Sequence, residues 1–337
     1  MTMKEWLIEA ARAPKKRSMP VLSFPVTSLL GITVEDLIAT SEMQAKGMVA
    51  VAERCPSLAS VSMMDLSVEA EAFGATAVFA PDEVPAITGN LVETQEDADA
   101  LQVPAVGAGR TGRSIEAIRL AKAAITDRPV LAGVIGPFSL AGRLVGVSDF
   151  MVDCYEEEEL VETVMEKATA FLIDYIKAYR DAGADGVVMA EPLTGVVSPM
   201  HAETFSCPYV KRIIDAVQTD DFIVIYHNCG ASTIRMLPAL VDQGAAAYHF
   251  GNAVDMREIM EKLPAGVIAM GNVDPVSAFK EGTPASMRHA VYSLLSPLGS
   301  NPNFIISSGC DIPPLAPWEN IDAYFKAVTD FYEGKEE

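Results

Sequence analysis

His227 and Cys229 stand two residues apart where the apolar, β-branched run Phe222-Ile223-Val224-Ile225-Tyr226 ends, and Gly230 follows them. In an extended chain residues i and i+2 face the same side. The pair can therefore aim an imidazole and a thiolate at one point. Cys310 has a similar setting, in Ser308-Gly309-Cys310-Asp311 directly after Phe304-Ile305-Ile306. A His/Cys/Cys set suits zinc, and three protein ligands leave one position open, as catalytic zinc sites do. Soft thiolates disfavour magnesium and calcium. The competing reading is a group of buried thiols acting as small hydrophobes beside an interior histidine.

The three residues converge only if the fold brings two strand ends together. Eight short apolar segments read as strands: 20–26, 61–66, 130–137, 186–190, the run beginning at Phe222, 246–250, 267–270 and 304–308. Helical periodicity separates them, at 36–54, 114–125, 160–180, 209–217, 233–243, 256–263, 285–295 and 321–332. Alternating strands and helices imply a parallel sheet. Eight units in 337 residues fit a single α/β (β/α)8 TIM barrel spanning 1–337, with an N-terminal helical extension over about 1–19. A doubly wound open sheet is the alternative, but no Gly-x-Gly-x-x-Gly follows the first strand. Residues 75–79 read as a small extra strand, and 81–113 as a long excursion rich in Pro, Gly, Asp and Thr.

Chemistry in such a barrel sits at the C-terminal strand ends. Asp65, Glu191, His227, Cys229, His249, Asn252, Asn272, Asp274, Cys310 and Asp311 fall there. His249 reads as a satisfied interior or rim histidine rather than a ligand. Cys55, Cys154 and Cys207 read as structural thiols, since five scattered cysteines do not make a disulfide framework.

Composition narrows the function classes. A net charge of −21 argues against a nucleic-acid partner, whose affinity comes from Lys and Arg. No uncharged apolar stretch is long enough to span a membrane, and the amphipathic N-terminus lacks the apolar core of a signal peptide. A cytoplasmic protein is expected.

Several stretches resemble the uroporphyrinogen decarboxylase superfamily: Gly133-Val134-Ile135-Gly136-Pro137-Phe138-Ser139, Gly271-Asn272-Val273-Asp274-Pro275, and the segment from Ser198-Pro199 to Ile213. Within it, Asp65 through Gly74, Tyr226-His227-Asn228-Cys229-Gly230 and Ser308-Gly309-Cys310-Asp311-Ile312-Pro313-Pro314 look like the methylcobamide:coenzyme M methyltransferase branch. The resemblance implies a (β/α)8 barrel with a zinc site at His227, Cys229 and Cys310. It also implies a small thiol substrate such as coenzyme M, and a corrinoid (methylcobamide) co-substrate carried by a separate corrinoid protein. A thiolate is the nucleophile, and an ordinary thiol has a pKa of about 8.5. Coordination to zinc deprotonates it.

Further roles follow from the same resemblance. Glu191 is a candidate catalytic carboxylate, either a displaceable fourth ligand or a partner of His227. Asp65 is a candidate pocket acid. Asn252, Asn272 and Asp274 are candidates for holding the cofactor, with helix capping as their competing role. Arg143 is a candidate for the sulfonate end of the thiol. Transfer in the opposite direction, from a small methyl donor to the corrinoid protein, uses the same ligands. A uroporphyrinogen decarboxylase is disfavoured, because residues 20–27 carry no arginine. A non-catalytic barrel with a closed zinc site is the remaining alternative.

Overall fold

Apolar runs such as 130–135 hide both faces only inside a parallel sheet covered by helices. The computed structural model has that arrangement. It describes residues 1–335, so residues 336 and 337 of the expected 1–337 unit lie outside the described residues. The strands are β1 (Ser60–Val61), β2 (Thr76–Ala80), β3 (Glu83–Thr88), β4 (Val130–Ile135), β5 (Gly186–Ala190), β6 (Ile223–Asn228), β7 (Ala247–Phe250), β8 (Ile268–Val273) and β9 (Phe304–Ser308). β1 and β4 through β9 form one parallel sheet in chain order. β2 and β3 pair as a separate antiparallel hairpin. The main sheet curls into a TIM-barrel-like α/β fold.

The strand expected at 61–66 pairs only over Ser60–Val61, and the expected first strand at 20–26 is the main departure. Residues 18–22 run between the two edges of the sheet without forming a regular ladder. The Met19 N–H donates to Ile306 O (3.1 Å), and the Leu58 N–H donates to Ser18 O (2.8 Å). The Val21 N–H donates to the Ser308 hydroxyl at 3.0 Å. Pro20 has no N–H to offer such a ladder, and beyond Pro25 the chain turns into a short helix, Val26–Leu30. The segment thus occupies the eighth place through single bonds. The 81–113 excursion also holds more structure than expected, with β3 and a helix at Gln95–Ala100 inside it.

Strand alternation sorts the core into two parts. Leu131, Val188, Ile225, Ala247, Met270 and Ile305 pack together inside the barrel. Their neighbours Ala132, Val187, Val224, Tyr248, Ala269 and Ile306 belong to the layer packed against the helices. The helix Met3–Arg12, opened by a Thr2/Glu5 capping box, adds Leu7 and Ala11 to the inner cluster. Lys4 pairs with Asp220, just ahead of β6, so this helix closes the end away from the expected chemistry. Among the described residues no helix is long and apolar enough to cross a membrane.

Candidate metal centre

Ile223 and Ile225 point into the barrel, so the period of two sends His227 inward as well. Ala247 does the same for His249, and Ile305 for Ser307. Cys229 continues the phase one step past β6. Its position is fixed by a turn in which Asn228 Oδ1 accepts from the Gly230 N–H (3.0 Å) and the Thr233 hydroxyl (2.6 Å). The Asn228 amide also donates to Glu191 O at 3.0 Å. Gly251 lets β7 approach this turn, since a Cβ there would lie 2.5 Å from Cys229 Cα. Cys310 arrives on the turn after β9, where a Cβ on Gly309 would meet Asn252 at 2.8 Å.

One nitrogen and two sulfurs thus meet. His227 Nε2 lies 3.5 Å from Cys310 Sγ. Ligand atoms of His227, Cys229 and Cys310 all lie within 4.8 Å of one another. A tetrahedral site with Zn–S bonds of about 2.3 Å needs sulfurs roughly 3.8 Å apart. The donor set therefore fits zinc in chemistry and in spread. The two thiols titrate as a pair. The Cys310 S–H holds a thiolate on Cys229 and draws it down to about 7, against the effect of burial. That same bond, with burial, pushes Cys310 up to about 12.

His227 is nearly fully buried, and its second ring nitrogen is engaged. Nδ1 lies 2.8 Å from His249 Nδ1 and 3.3 Å from His249 O. His249 Nε2 lies 2.7 Å from the Ser307 hydroxyl, which donates to Met19 O at 2.6 Å. Burial, then the neighbouring His227, holds His249 well below its ordinary pKa and so neutral. His249 is a satisfied interior histidine, and the residue it satisfies is His227. Its phase with Ala247 was the sequence signal for this, but the pairing needed the register His227↔His249.

The other expected residues have different company. Glu191 turns its carboxylate to the start of the helix Pro137–Val145, accepting from the Phe138 N–H (3.0 Å), the Ser139 N–H (2.7 Å) and the Ser139 hydroxyl. Burial pushes it up to about 7. Gly136 is required there, because a Cβ would fall 2.2 Å from Glu191 Oε2. Asp65 lies in a buried cluster with Arg110 and Ser67, and Arg110 also binds Glu71. Arg110 had no signal in the sequence. Asp274 caps the helix Pro275–Lys280, accepting from Val276 (2.8 Å) and Ser277 (2.9 Å), and receives the Asn252 amide at 3.0 Å. Asn272 donates to Gly251 O (2.9 Å) and Val254 O (2.8 Å). Asn252, Asn272 and Asp274 thus tie together the loops after β7 and β8. Arg143 is half-buried near Glu69 and Asp65.

A model of the family described as Uroporphyrinogen decarboxylase (URO-D) matches residues 18–331. The chain is similar to "Methylcobamide:CoM methyltransferase MtbA" of Methanosarcina acetivorans, with 27% identity over 98% of each chain. It is also similar to a uroporphyrinogen decarboxylase of Coxiella burnetii, with 27% identity over 88% of this chain and 84% of the relative. A solved "methyltransferase from Methanosarcina mazei" has the same fold, with a TM-score of 0.86 at 24% identity over 98% of this chain and 99% of that one. The barrel also matches a B12-independent methionine synthase from Shewanella, at a TM-score of 0.62 and 14% identity over 94% and 95% of the two chains.

Proposed function

The chain belongs to the uroporphyrinogen decarboxylase (URO-D) family, and on that premise we propose that it is a zinc-dependent corrinoid methyltransferase, moving a methyl group from a methylated corrinoid protein to a small thiol such as coenzyme M. The single observation that carries this reading is the meeting of His227 Nε2 with the Cys229 and Cys310 sulfurs within 4.8 Å at the C-terminal strand ends. The similarity to methylcobamide:CoM methyltransferases over nearly the whole chain supports it.

In this reading His227, Cys229 and Cys310 hold zinc. When bound, zinc supplies an open position at which a substrate thiol is kept as its thiolate. His227 is turned toward that point by the β6 phase and by its bond to His249. With a cation bound, Cys229 and Cys310 would both be thiolates, bringing negative charge to a point backed by the neutral His249 and by Ser307. The balance is simple. The sulfur–carbon bond forms as the cobalt–carbon bond breaks, both electrons of the latter stay on cobalt, and the thiol proton is released to solvent. Glu191 orders the helix start beside the site through its three donors, a positioning role.

The corrinoid must be presented at the mouth. Among the described residues, the large hydrophobics left exposed, apart from Met1, Ile8 and Leu29, all lie in segments that follow the C-terminal ends of main-sheet strands. Phe79, Val106, Val152, Met200, Val276 and Leu315 are examples. An apolar rim of this kind suits a protein partner. We place the protein in the cytoplasm, where it meets such a partner.

The test is methyl transfer from methylcobalamin to coenzyme M and other small thiols, with zinc at full occupancy, following the corrinoid spectrum. The expected result is loss of methylcobalamin, thiol methylation, and a rate at least about 100-fold lower in Cys310→Ser. If the zinc-loaded protein methylates no thiol and accepts no methyl group back from a methylated thiol, the assignment fails.

A further inference from the structure

We propose that His249 and Ser307 are positioning residues that fix which nitrogen of His227 carries its proton, so that the nitrogen facing Cys229 and Cys310 is always the unprotonated one. The inference rests on the metal reading of His227, Cys229 and Cys310, and adds two residues outside that ligand set.

The direction of the chain of bonds is set at its far end. Met19 O is a backbone carbonyl and can only accept, so the Ser307 hydroxyl spends its proton there. Ser307 Oγ then meets His249 Nε2 with lone pairs only, which makes Nε2 the protonated nitrogen of His249. A neutral imidazole has one donor and one acceptor, so His249 Nδ1 accepts. The atom facing it, His227 Nδ1, must carry the hydrogen. The second neighbour of that nitrogen, His249 O at 3.3 Å, is also a pure acceptor and points to the same assignment. His227 Nε2 is left with its lone pair on the side of Cys310 Sγ; with the Cys310 S–H turned to Cys229 that 3.5 Å contact holds no proton, and a cation between the two atoms would fill it. That is the form in which imidazole binds a metal, and a partner on the other nitrogen orients the ring and raises its basicity.

The fold makes the chain possible in a specific way. His227, His249 and Ser307 occupy inward positions on β6, β7 and β9, and Met19 lies on the segment that fills the eighth place of the barrel. All three side chains are buried, with His249 and Ser307 fully so. Water has little access to replace a missing partner, and the proton positions are set by the protein.

The experiment uses the full chain, stripped of metal and titrated with Co²⁺, whose thiolate charge-transfer and d–d bands report the site. His249→Ala removes the nearer acceptor, and Co²⁺ affinity is expected to fall about 10- to 100-fold. His249→Asn places an oxygen where Nδ1 was and is expected to recover most of that loss. In ¹⁵N spectra of histidine side chains in the metal-free protein, His249 is expected in the Nε2–H form, and in a mixture of forms in Ser307→Ala. A purely structural role for Ser307 would not move that ratio. Wild-type Co²⁺ affinity in a folded His249→Ala protein, or the Nδ1–H form of His249 in the wild type, overturns the inference. If His249→Ala does not fold, Ser307→Ala decides, and an unchanged tautomer there counts against it. Cys310→Ser serves as the control for the metal reading itself. Wild-type affinity in that variant overturns the reading and the inference together, whereas loss in Cys310→Ser with none in His249→Ala overturns the inference alone.

Discussion

Removing the Arg110 guanidinium should cost far more than neutralising the carboxylate it holds, although both belong to one ion pair. The side chains of Arg110 and Asp65 are only 5% and 4% exposed, whereas that of Glu71, the second carboxylate on Arg110, is 26% exposed. In Arg110→Met, Asp65 keeps its bonds from the Ser67 N–H and hydroxyl but loses its adjacent cation. A buried charge left so costs about 3–5 kcal/mol. In Asp65→Asn the guanidinium still has Glu71 and the Ser67 hydroxyl, and the cost is about 1–2 kcal/mol. For 337 residues the unfolding entropy is about 0.7 kcal/mol/K. The midpoint should therefore fall about 4–7 °C in Arg110→Met and about 1–3 °C in Asp65→Asn. The double variant should be more stable than Arg110→Met alone, because a neutral amide in place of the Asp65 carboxylate removes the stranded charge. Calorimetry of the four proteins at neutral pH measures the cycle. Equal costs for the two single changes, or strictly additive ones, would falsify the pairing. An Asp65→Asn protein of wild-type stability that has lost methyl transfer would instead assign Asp65 to the substrate.

Three further outcomes follow from the site and its surroundings. Burial pushes Glu69 from an ordinary value of 4.5 to about 7. The unfolded chain releases this proton first, so its contribution to stability is full below about pH 4.5 and falls by about 3 kcal/mol as pH rises to 7; Glu69→Gln should remove that fall from a denaturant-midpoint series between pH 5 and 8, and an unchanged series would contradict the burial argument. Because Cys229 is drawn down to about 7 and Cys310 pushed up to about 12, metal uptake should release close to two protons at pH 6 and about one at pH 8.5. Calorimetric Co²⁺ titrations in buffers of different ionisation enthalpy count them, and a constant number across that range would refute the shared-proton pair. Met200→Ser combined with Leu315→Ser, at two of the most exposed rim positions, should raise KM for a methylated corrinoid protein about tenfold and leave the rate with free methylcobalamin within about twofold. An equal effect on both donors would place these residues in the chemistry rather than in docking.

The sequence by itself determined the strands that are buried on both faces, because continuous runs such as Val130–Ile135 have no other stable home. It also determined that His227 and Cys229 share a side, because strand alternation is local geometry. The convergence of Cys310 on them followed once eight β/α units implied a closed barrel. What lay beyond the sequence depended on contacts between distant segments. Residues 20–26 look like a strand by composition, yet Pro20 and Pro25 limit the bonds they can make, and closure is left to a few single contacts. Glu191 sits at a strand end as expected and Asp65 four residues past one, but their partners, the start of the helix Pro137–Val145 and Arg110, come from other turns of the chain. His249 was legible as an interior histidine and not as the support of His227. That role needs the β6–β7 register and the bond from Ser307 on β9 to Met19, and register is fixed by the packing of the whole barrel rather than by any one strand.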